Sequence, residues 1–82
     1  MSPMKLEEEL KLYGCGLSPE QFEALLVDLL AAMYPNLNSE QLLYYPDLAS
    51  RYCEAVRCST RCPGLPDEMI LRRLQNIRKR GE

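Results

Sequence analysis

The tetrapeptide Ser18-Pro19-Glu20-Gln21 constrains this chain more than any other segment, because it can only comfortably be the start of a helix. A serine oxygen accepts from an early helical amide that has no other partner, and proline suits the first helical position, where its missing N–H costs nothing. Gln21 can return a bond to the serine amide, which completes a capping box. Behind this start, Phe22, Leu25, Leu26, Leu29, Leu30 and Met33 recur at the spacing of a wide apolar stripe. Pro35-Asn36 stop the run, so the pattern predicts a helix over 18–34. Ala24, Val27, Ala31 and Tyr34 put small or apolar side chains on the remaining surface. A helix apolar on most sides is either central to its fold or turned toward a partner. The central position is the first expectation.

The same punctuation divides the rest. Ser2-Pro3 reads as a cap and first turn, Glu7, Glu8 and Glu9 sit where the helix dipole favours acids, and Leu6, Leu10 and Tyr13 share a face. Gly14-Cys15-Gly16 closes this helix, predicted at 3–13, because glycine accepts a left-handed cap. Asn38-Ser39-Glu40-Gln41 repeats the capping pattern, but Pro46 disfavours helical geometry at Tyr45. A short helix over 39–45 and a separate one over 47–58 follow, the latter with Leu48, Tyr52, Ala55 and Val56 facing inward. Residues 59–64 connect to a last helix over 66–80, opened by Leu65-Pro66-Asp67-Glu68. No stretch alternates long enough for a strand. The expectation is one all-α domain over 1–82, with four main helices and a short one, in an irregular bundle or orthogonal array.

With 46% hydrophobic and 27% charged residues the chain is too apolar for disorder, and no apolar run reaches the ~20 residues of a membrane span. The first residues lack the basic start and apolar core of a secretion signal, so a cytoplasmic, reducing setting is expected and the cysteines read first as thiols. The absence of histidine removes His-dependent triads, and no glycine-rich phosphate loop is present. Adjacent Glu7, Glu8 and Glu9 diverge around a helix, and Asp67-Glu68 is helix-start chemistry. A non-catalytic chain with no cofactor and no small-molecule substrate is therefore expected.

Cys15, Cys53, Cys58 and Cys62 match the count of a tetrahedral zinc site, but their spacing does not. Only Cys58 and Cys62 fall within the usual interval, Cys53 and Cys58 point about 140° apart on a continuous helix, and no second cysteine lies near Cys15 in sequence. Cys53 reads as a small core residue and no metal is expected. Tyr44, Tyr45 and Tyr52 suit the rim of a core that has no tryptophan.

Charge is polarised. Residues 1–50 hold two basic and eight acidic side chains, residues 51–82 eight basic and four acidic, giving −6 and +4. In the last helix Ile70, Leu74 and Ile77 form the inward stripe, flanked by Met69 and Leu71. Arg72, Gln75, Asn76 and Lys79 fall opposite, with Arg73, Arg78 and Arg80 at the borders. Arginine can read guanine and Asn or Gln adenine, so this face suits a major groove. The same residues are ordinary on a solvated helix, and the 59–64 connection is longer than a helix-turn-helix turn. The first functional expectation is thus a protein-interaction or regulatory module whose partner is another protein or a second copy. The alternative is a helix-turn-helix-like nucleic-acid binder using Arg72, Arg73, Gln75, Asn76, Arg78, Lys79 and Arg80. An exposed patch on helix 18–34 favours the first; acids facing the basic helix count against the second.

Overall fold

Ser18 and Asn38 both build the capping boxes that their sequences announce. Each side chain accepts from the amide three residues on, and Gln21 and Gln41 return bonds to the capping amides. They open two of five helices in a computed structural model that describes the backbone of residues 5–81 and the side chains of residues 5–77. The helices are α1 Leu6–Leu12, α2 Pro19–Met33, α3 Ser39–Leu42, α4 Pro46–Thr60 and α5 Asp67–Gly81. No strand occurs among the described residues, and the fold is all-α.

Several boundaries differ from the sequence reading. Lys5 is extended, so α1 opens at Leu6, where its buried stripe begins; Ser2 and Pro3 lie outside the described residues. Helix α3 ends at Leu42 rather than at Tyr45, because a tighter turn follows in which the amides of Leu43, Tyr44 and Tyr45 reach back only three residues. Tyr45, preceding proline, leaves helical geometry with φ −124° and ψ 84°, and Pro46 becomes the first residue of α4. At its other end α4 continues past Cys58 to Thr60, whose hydroxyl donates to the Val56 carbonyl at 2.8 Å.

Helices α2, α4 and α5 pack against one another, α3 covers α4 and α5, and α1 lies on α2. The core joins Phe22 and Leu26 of α2, Ala49, Tyr52, Cys53 and Val56 of α4, and Met69, Ile70 and Leu74 of α5, closed by Leu6, Leu10, Leu42 and Leu65. Helix α2 is therefore one of three central helices rather than the hub. In α4 Ala49 and Cys53 join Tyr52 and Val56 inside, while Leu48 and Ala55 are only half-buried. The Tyr52 hydroxyl donates to the Leu26 carbonyl at 2.6 Å, and the Cys53 thiol lies 3.9 Å from the Asp67 carbonyl. Helix α4 is thus fastened to the inner side of α2 through one polar group and to the start of α5 through the next. Tyr52 is fully buried, whereas Tyr44 and Tyr45 are exposed and do not line the core rim.

Candidate interaction surfaces

Glu9 organises one side of the molecule. It follows Leu6 by three residues and precedes Tyr13 by four, which sets its carboxylate on the buried face of α1 at 6% exposure. A buried carboxylate is costly unless it is paired. Arg73 of α5 approaches one oxygen at 2.7 Å and Arg72 the other at 3.2 Å, so both acceptors are met. Nearby on α5, the Gln75 amide donates to the Ser39 carbonyl at 2.6 Å, which ties α5 to the start of α3. Asn76 is half-buried and lines a cleft of about 450 Å³ with Lys5, Glu9, Leu12, Tyr13, Arg72 and Arg73.

Among the described side chains, much of the outward polar face expected for α5 is therefore engaged within the fold. Arg72, Arg73 and Gln75 all bond to other helices, because α1 and α3 grip α5 on the flanks that its apolar stripe leaves open. The side chains of Arg78, Lys79 and Arg80 lie outside the described residues. The signal for the Glu9 contact was present in the sequence: of Glu7, Glu8 and Glu9, only the last shares a helix face with both Leu6 and Tyr13.

Helix α2 presents the opposite arrangement. Phe22 and Leu26 are buried, but Ala24, Val27, Asp28, Ala31 and Ala32 are exposed, with Val27 at 45%. Leu25 and Leu29 are half-buried along one edge, where they line a shallow groove of about 270 Å³ with Asp28 and Ala32. No other described helix covers this side. The charge along this part of the chain has one sign: residues 14–50 contain no lysine or arginine and five acids, Glu20, Glu23, Asp28, Glu40 and Asp47.

The four cysteines do not converge. Cys53 is sealed in the core, where burial chiefly, and then the neighbouring Asp67 carboxylate, push its thiol up to about 12. Cys58 is exposed on the last turn of α4. Cys15 and Cys62, distant in sequence, are buried side by side, and burial followed by a hydrogen bond to Cys62 raises the Cys15 thiol above its ordinary value. Among the described residues no group of three or more Cys, Asp or Glu side chains is placed to hold a metal ion. Nor is any described helix long and apolar enough to cross a membrane.

Compared with protein-family models, with curated proteins and with solved structures, the chain matches none.

Proposed function

We propose that this chain is a non-catalytic protein-interaction module that docks a basic amphipathic helix on the outward face of α2. The observation behind this reading is the pairing of an uncovered apolar strip, Ala24, Val27, Ala31 and Ala32, with acidic side chains and no basic ones along the helix. Small alanine side chains let a second helix approach toward the short end of the ~8–10 Å axial spacing of packed helices. Glu20 and Asp28 are exposed on the same helix, so a partner with an apolar stripe and lysines or arginines beside it meets complementary charge. Leu25 and Leu29 offer the groove into which such a stripe can settle.

The nucleic-acid alternative has less support. Of the residues it needs, Arg72 and Arg73 face the Glu9 carboxylate and Gln75 is bonded to α3. Phosphate binding would have to compete with that carboxylate for both guanidinium groups.

Calorimetric titration of the full chain with a synthetic Leu/Lys amphipathic peptide, and separately with its Leu/Glu counterpart, tests the reading. Binding of the Leu/Lys peptide alone, weakened by salt and abolished by Val27→Lys, supports it. Binding of both peptides, of neither, or binding indifferent to Val27→Lys overturns it. Self-association through the same face, seen by sedimentation and removed by Val27→Lys, would replace the basic helix with a second copy.

A further inference from the structure

Cys15 and Cys62 occupy the same position in two copies of one capping motif. At the end of α1 the Gly14 amide bonds to the Lys11 carbonyl and the Cys15 amide to the Leu10 carbonyl, with Gly14 left-handed at φ 75°. At the end of α4 the Arg61 amide bonds to the Cys58 carbonyl and the Cys62 amide to the Arg57 carbonyl, with Arg61 left-handed at φ 59°. These paired bonds define the Schellman cap, whose residue after the left-handed one turns back toward its own helix and is usually apolar. Here both such residues are cysteines, and the two caps abut. Gly64, just beyond the second cap, runs so close to the first that a Cβ on it would stand 3.5 Å from the Tyr13 carbonyl.

The two side chains are 6% and 3% exposed. Burial first, and then the neighbouring Cys62, raise the Cys15 thiol above its ordinary value, and the Cys62 thiol donates to the Thr60 carbonyl at 3.2 Å. The two buried cysteines are thus neighbours at the meeting point of two helix-capping turns. Neither Cys53, held in the core against Asp67, nor Cys58, on the surface, shares that position.

We propose that Cys15 and Cys62 form a dithiol modification site, which a low-molecular-weight disulfide such as glutathione disulfide converts to an intramolecular disulfide. One cysteine, as thiolate, attacks the oxidant, forming a mixed disulfide and releasing one glutathione thiolate. The second cysteine loses its proton and attacks the protein sulfur of that mixed disulfide, expelling the second glutathione. In sum two protein thiols lose two hydrogens and one glutathione disulfide becomes two glutathiones. The bond joins the C-terminal end of α1 to that of α4, and encloses α2, α3 and α4 in one covalent loop. A loop of this length constrains the unfolded chain strongly, so the oxidised form melts higher by on the order of 10 °C or more. This inference stands independently of the α2 docking reading.

The test is oxidation of the full chain in a glutathione redox buffer followed by tryptic mapping without reduction. Cleavage at lysine and arginine leaves each of the four cysteines on a separate peptide. The expected result is a linked pair carrying Cys15 and Cys62, an intact mass lower by two hydrogens, and a raised Tm that dithiothreitol reverses. Cys58→Ser should leave all three unchanged, while Cys15→Ser and Cys62→Ser should each remove them. Should either serine variant fail to fold, the wild-type map still decides. Four free thiols, glutathione retained on Cys58 alone, or a Cys58–Cys62 link would overturn the proposal.

Discussion

Helices α2 and α5 are equally long, and both carry residues beyond what the core requires, yet they use them in opposite ways. Helix α5 has the more polar sequence, but its Arg72, Arg73 and Gln75 turn back onto α1 and α3. Helix α2 has the more apolar sequence, but only Phe22 and Leu26 are fully buried and Val27 with its alanine neighbours faces outward. A polar side chain is thus no sign of a free surface, and an apolar one no sign of the core. What decides is whether a neighbouring helix supplies a complementary group. Glu9 and the Ser39 carbonyl do so for α5; no described residue does so for the outer side of α2.

The largest expected effect strikes the fastenings that hold both helices to α4. Cys53 is raised from an ordinary 9.0 to about 12, and burial also lifts the Tyr52 phenol well above its ordinary value. Both groups lose protons more readily in the unfolded chain, so above pH 9 the unfolded state binds fewer protons and stability falls as pH rises. Stability is whole below pH 9 and is progressively lost toward pH 12. Denaturant melts across that range should show the loss, with a shallower slope in Cys53→Ala. A flat profile in the wild type would contradict these placements.

Glu9→Ala removes the carboxylate that Arg72 and Arg73 both face. A loss of about 2–3 kcal/mol in urea melts is expected, since breaking a buried pair strands its charges, and water around the half-exposed Arg72 softens the cost. The same change uncovers the two arginines, so it should also strengthen DNA binding at low salt, which sharpens the contrast between the helices. Gln75→Ala, which frees the Ser39 carbonyl, should cost about 1 kcal/mol. Arg61→Gly relieves a left-handed backbone at a non-glycine residue and should stabilise by roughly 0.5–1 kcal/mol in the same melts. Smallest is Val27→Ser on the outer side of α2, expected to change stability by no more than about 0.5 kcal/mol. A loss as large as that of a core substitution would show that Val27 is covered after all.

Much of the fold was legible because its signals are local. The boxes at Ser18 and Asn38, the break before Pro46 and the stripe of Ile70 and Leu74 each depend on neighbours within a turn or two. The candidate site was less legible because it rests on long-range partners. Helical periodicity places Arg73 and Gln75 away from Ile70, but it cannot say that α1 and α3 wait on those flanks. The cysteines teach the same lesson. Spacing correctly separated Cys53 from Cys58, yet it gave no hint that two helix ends would bring Cys15 against Cys62.

The most direct test of the contrast between α2 and α5 is an amide NMR spectrum of the full chain, titrated at low salt with a Leu/Lys amphipathic peptide and, in parallel, with a mixed-sequence DNA duplex. The expected result is peptide-induced shifts at Ala24, Val27, Asp28, Ala31 and Ala32, with little response to DNA at Arg72, Arg73 and Gln75. Shifts from DNA concentrated on those three residues, with α2 silent to the peptide, would contradict it.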